Sequence, residues 1–224
     1  MRFLSLVAAF IILYTPILNA QDFNFDDDTM IVVFESNLDK KELHSAIFSA
    51  IANIYNSAND VVQMNDTGAG KIIIKGMYNI KISNFQNEAM YSKEIIAMTP
   101  EYLNIDVEHT ISAYIKDNKY KIQLVTGEKF SKHLGQRYPL GTSYLKFDYP
   151  SISEIEKLKQ LHIQVLSQLK NGREILQRKE TIAYLDAMES NQRTNATELR
   201  DGAKSLALNI NSGVINEIKQ NDDW

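Results

Sequence analysis

The sequence predicts an α+β fold: an antiparallel sheet with two helices packed on one face, followed by a C-terminal helical extension. Three observations carry this expectation. Apolar and polar residues alternate from Lys71 to Ile82 and again from Ile105 to Leu124, the period of half-buried strands. Between Asn37 and Tyr55 apolar residues recur at steps of three and four, and from Ser151 onward only that helical spacing remains.

The chain opens with Arg2, an apolar run from Leu4 to Leu13, and Ala20 before the polar segment Gln21-Asp22-Phe23-Asn24. This predicts a signal peptide over residues 1–20 and a periplasmic or secreted mature protein. The rival, a membrane anchor, needs roughly 20 apolar residues, and this run is shorter. After cleavage no membrane span is expected.

Thr29 to Phe34 is a short β-branched and aromatic run, read as a buried strand. A helix should follow, capped by Asn37 or Asp39, with Leu43, Ile47, Ala50, Ile51 and Ile54 on its apolar side and Lys40, Lys41, His44 and Asn53 in water. Ala58 to Met64 reads as a strand and Asn65 to Gly70 as a turn. In the next strand Ile72, Ile74, Tyr78, Ile80 and Ile82 face inward, with Gly76 on the same side, where a bulge or a closely packed helix would account for it. Asp117-Asn118 makes a tight hairpin between the strand carrying Ile105, Val107, His109, Ile111, Ala113 and Ile115 and the one carrying Tyr120, Ile122 and Leu124.

Thr126 to Pro150 shows no period and is expected as a long ordered loop or a pair of irregular strands. A helix from Ser151 with Ile155, Leu158, His162, Val165 and Leu169 inward should be the second helix on the sheet. A break is expected at Asn171-Gly172 and a turn at Asn191 to Asn195, giving a helical tail or hairpin over 171–224 outside the main domain at 29–170.

Composition narrows the function. The chain has 24 basic and 28 acidic side chains, a formal charge of -4, so the cationic surplus that drives nucleic-acid binding is lacking and no nucleic-acid partner is expected. There is no cysteine, which excludes disulfides and a lipid-bearing thiol. His44, His109, His133 and His162 share no metal-ligand spacing, and neither a metal nor another cofactor is expected. Gly68-Ala69-Gly70-Lys71 departs from a phosphate loop: Asn65 and Ile72 occupy the places of its first glycine and its hydroxyl, and a strand follows.

The phrases Asn56-Ser57-Ala58-Asn59-Asp60-Val61-Val62-Gln63, Gly68-Ala69-Gly70-Lys71-Ile72-Ile73-Ile74-Lys75-Gly76 and Val107 to Ile122 resemble the exported domain-of-unknown-function family 4468 of Bacteroidetes. The resemblance covers about Thr29 to Val125 and implies a TBP-like fold for the domain at 29–170. It implies no catalytic or binding residue. In the TATA-binding fold the helix-free sheet face grips a DNA minor groove. The equivalent face here carries Lys71, Lys75, Lys81, Lys116, Lys119 and Lys121 beside Asp106, Glu108 and Tyr114. Keeping an exposed sheet from pairing with its neighbours is the first reading of these lysines, and an acidic polymer or protein ligand the second.

The loop aromatics supply the candidate ligand-binding residues, Arg137, Tyr138, Tyr144 and Tyr149, because such rings stack on sugars or close over apolar ligands; packing onto their own sheet is the competing role. No catalytic residue is named. The expected function is a non-enzymatic binding module for an unknown protein or an envelope polymer. The alternatives are a hydrolase of envelope polymers and a structural subunit, the latter forming a homodimer through the helices Ile175 to Met188 and Leu199 to Ile218.

Overall fold

The computed structural model describes residues 22–55, 58–83, 101–133, 136–139 and 152–222. The expected signal peptide at 1–20 therefore lies outside the described residues. Strands β1 (Asn24–Asp26), β2 (Thr29–Glu35), β3 (Val62–Asp66), β4 (Lys71–Ser83), β5 (Tyr102–Lys116), β6 (Lys119–His133) and β7 (Gln136–Pro139) form one antiparallel sheet. Its order is β1-β2-β6-β5-β4-β3, with β7 pairing the far end of β6. The helices are α1 (Lys40–Tyr55), α2 (Ala58–Val61), α3 (Ile152–Leu166) and α4 (Gly172–Asp222). The fold is α+β, with two helices on one face of the sheet.

The alternating strands form as their pattern requires. Ile72 and Ile74 of β4, Ile111, Ala113 and Ile115 of β5, and Tyr120, Ile122 and Leu124 of β6 are buried on one face with Met30, Val32 and Phe34 of β2. Asn118 takes a φ of 62° in the hairpin, a conformation asparagine tolerates better than most residues. Helix α1 starts with a reciprocal cap: Asp39 Oδ1 accepts from the Glu42 amide at 2.9 Å, and Glu42 Oε2 accepts from the Asp39 amide at 3.2 Å. Its residues Leu43, Ile47, Ala50 and Ile51 enter the core.

The second helix on the sheet is not α3 but the C-terminal half of α4. Leu199, Ala203, Leu206, Ala207, Ile210 and Val214 belong to the same hydrophobic core as α1 and the strands. Residues 171–224 are therefore not simply a tail outside the domain. At Gly213 a Cβ would sit 2.7 Å from the Ala50 Cβ, so only a bare backbone lets α4 approach α1 this closely. Tyr120 on β6 donates a buried hydrogen bond to Asn211 at 2.7 Å, and Glu198 accepts from the amide and hydroxyl of Ser83 at 2.7 and 2.9 Å.

Helix α3 packs on the N-terminal half of α4 instead. Lys159 bridges Asp186 and Glu189 at 2.9 and 2.8 Å, and Arg193 bridges Glu189 and Glu156 at 2.8 and 3.3 Å. Only Ile155 of the expected α3 stripe is fully buried. The break at Asn171-Gly172 is present: Asn171 Oδ1 caps α4 by accepting from the Arg173 amide at 3.0 Å. The expected turn at Asn191 to Asn195 is absent, because α4 runs through it. Thr194 within it and Thr197 just after it bond back along the helix, to the Ser190 carbonyl at 3.1 Å and the Arg193 carbonyl at 2.9 Å.

Two further expectations change. Ala58 to Val61 is a helical turn, and the strand begins at Val62. Thr126 to His133 continues β6, so of the two expected forms of the 126–150 segment the strand pair holds as far as Pro139.

Candidate functional site

The helix-free face of the sheet is the candidate site. Strand register aligns its outward residues in rows: Val33, Lys121, Tyr114, Lys71 and Asp66 stand side by side across five strands. The next row is Asn24, Ile31, Gln123, Ser112, Ile73 and Met64, and the third is Asp26, Thr29, Val125, Thr110 and Lys75. The helices that contact the sheet lie on the opposite face, where the core is. Val33 and Met64 at the row ends are 38% and 43% exposed.

Tyr114 is the centre of the first row. The Lys121 and Lys71 ammonium groups stand 4.5 and 5.3 Å from its ring centroid, so the π-face attracts both cations. Two acids stand nearby: Glu35 lies in register opposite Lys119, and Asp66 accepts from the Ala69 amide at 2.8 Å within the β3–β4 turn. Lys75, Lys116 and Lys119 extend the cationic end of the face. Asp106 and Glu108 occupy the other end, where Asn79 donates to Asp106 at 3.0 Å; Asp106 is only 6% exposed, so the expected wet face is covered there.

A second polar constellation lies beneath the helices. Tyr55, at the end of α1, and the His109 Nε2 share a 2.5 Å hydrogen bond, and the Tyr78 ring lies 5.3 Å from the imidazole. Gly76 makes this possible, since a Cβ there would stand 2.6 Å from the Tyr55 ring; of the two readings of this glycine, the closely packed helix holds. Burial drives the His109 pKa down to about 4 against a weak opposing pull from the Val107 carbonyl, and burial raises those of Tyr55 and Tyr78. Lys129 stands in register with Val107 and is 3% exposed. Desolvation lowers its pKa to about 8, although Asp28 pulls the other way.

The sequence missed this lysine. Continued alternation along β6 would turn Lys129 outward, but one extra residue is accommodated between the His109–Thr126 and Val107–Lys129 pairs, and the bulge reverses its side. His44 is also a correction, being 5% exposed instead of solvated, with burial lowering its pKa. His109 is buried as expected, and His162 contacts Arg178 at 2.5 Å.

Of the sequence-predicted ligand residues, Arg137 and Tyr138 lie on β7 in register with Lys132 and Ser131. Tyr144 and Tyr149 lie outside the described residues. Among the described residues no group of three or more His, Asp or Glu side chains is placed to hold a metal, and no helix is long and apolar enough to cross a membrane. Gly68 to Gly70 forms a turn closed by the Gly70 amide on the Thr67 carbonyl at 3.2 Å.

An antiparallel sheet with its core under two helices and no helix on its other face makes this an α+β domain. Residues 31–126 match the family model described as "Domain of unknown function (DUF4468) with TBP-like fold", so the resemblance read in the sequence holds over that stretch. Two solved structures are similar. One is a DUF4468 family protein from Bacteroides ovatus, with 12% identity and a TM-score of 0.36 over 80% of this chain and 92% of that one. The other is a TBP-like protein from Parabacteroides distasonis, with 12% identity and a TM-score of 0.33 over 81% of this chain and 96% of that one. No curated protein matches the chain.

Proposed function

We propose that the chain is an exported, non-enzymatic binding module that takes an anionic component of the cell envelope on the helix-free face of its sheet. The observation that carries this reading is the row Val33–Lys121–Tyr114–Lys71, in which two cations flank one ring on a rigid frame. Arg137, Tyr138, Tyr144 and Tyr149 are proposed as additional ligand contacts for the chemistry of their side chains, a cation and rings that can stack on sugars; β7 itself pairs with the far end of β6, the strand that carries Lys121.

Export is tested by fractionating cells and sequencing the N-terminus of the native protein. A periplasmic or secreted chain starting at Gln21 is expected; a cytosolic chain retaining Met1 would refute it. Titration of the chain with anionic envelope polymers tests the site, and binding unaffected by K71E/K121E would refute it.

A second reading, assembly as a structural subunit, draws on the leucines that the α3–α4 hairpin leaves exposed: Leu158 at 48%, Leu161 at 55% and Leu176 at 58%. Its occupant would be the same hairpin of a second copy, not Leu199 to Ile218, which the sheet already covers. Light scattering that gives a dimer mass, reduced to the monomer by L161E/L176E, would support it.

A further inference from the structure

Resting on the binding role just proposed, we infer that the ligand of the open face is an acidic polysaccharide lying across the strands, a hydroxyl-rich chain with acidic groups at regular intervals. Lys121 and Lys71 stand in one row with only Tyr114 between them. Adjacent strands lie about 4.8 Å apart, which separates these two backbones by roughly 10 Å. A chain carrying one acidic group per pair of sugar rings presents its charges at a comparable interval. The sheet fixes the backbones that carry the cations before the ligand arrives, so the site needs no rearrangement of the fold on binding.

The neighbouring rows complete the match. Gln123, Ser112, Thr110 and Thr29 offer neutral donors and acceptors beside the lysines, which suit hydroxyl groups. Val33 and Met64 project at the row ends, where they can pack on the C–H surfaces of sugar rings. Duplex DNA would demand a larger cationic surplus than a chain with a formal charge of -4 supplies.

The experiment is calorimetric titration of the full chain with hyaluronate fragments, which carry one carboxylate per disaccharide. Poly-L-glutamate, a DNA duplex and phosphatidylglycerol vesicles are titrated in parallel. Hyaluronate is expected to bind, about tenfold or more weaker in K71E/K121E, since removing two facing charges and adding two repulsive ones acts directly on the contact. K71R/K121R should retain binding, and K41E, on the exposed side of α1, should leave it unchanged. Binding of the polypeptide, the duplex or the vesicles through the same lysines, without hyaluronate binding, would overturn the polysaccharide assignment and leave the face as a site. No lysine-dependent binding of any probe would overturn both.

Discussion

Replacing Gly213 by alanine tests whether α4 is an integral part of the domain. The new Cβ would stand 2.7 Å from the Ala50 Cβ and 3.3 Å from its Cα, and both atoms are fixed to the backbone of α1. Alanine gains about 1 kcal/mol over glycine in a helix interior, whereas forcing a methyl into a closed contact costs about 1–3 kcal/mol. Because neither helix can move without disturbing the core contacts of Leu206 and Ile210, the clash should outweigh the propensity. We expect a net loss of about 1–2 kcal/mol, read as a lower urea midpoint at unchanged m-value. A50G/G213A should lose less than the sum of its single variants, since the space is restored. G172A is the control: nothing lies within 4 Å of its added Cβ, so it should show no such loss. A G213A protein as stable as the parent would refute the close docking of α4 on α1.

Three other outcomes follow from the core. Ile210→Ala, at a position 0% exposed, should cost about 2–5 kcal/mol in urea unfolding; a loss near zero would mean that this helix is not part of the core. His109 is held at about 4 against an ordinary 6.5, so the folded state resists the proton that the unfolded chain accepts. Stability should be intact above pH 6.5 and fall toward pH 4 by about 3 kcal/mol, and an H109N variant should lose this slope. Lys129, held at about 8 against 10.5, imposes its burial penalty in full below pH 8 and sheds it by pH 10.5. K129M should therefore be the more stable protein at pH 7, by an amount on the order of 2–3 kcal/mol, with the difference closing by pH 10.5; equal stability at pH 7 would contradict the burial of an unpaired amine.

The strands were legible because alternation is a local signal: Ile72 and Ile74 or Ile111 and Ala113 declare a buried face without knowledge of their partners. What lay beyond reading depended on partners distant in sequence. Both α3 and α4 carry three-four stripes, and nothing local says which one meets the sheet. The choice is made by contacts such as Asn211 with Tyr120 and Gly213 with Ala50, separated by many residues. His44 sits beside lysines in sequence, yet the turn of α1 carries it to the buried side. The lysines of the helix-free face could be listed by parity, but the grouping of Lys71 and Lys121 around Tyr114 required the register of two strand pairs, β4 with β5 and β5 with β6. Lys129 was hidden by a single bulged residue, which inverts an otherwise dependable alternation.

A map of backbone amide shifts in the chain as hyaluronate is added locates the ligand directly. Perturbations should gather at Lys71, Ile73, Ser112, Tyr114, Lys121 and Gln123, while α1 and the C-terminal half of α4 stay unchanged. Perturbations confined to the α3–α4 hairpin, or spread over the helical face, would contradict binding on the helix-free face.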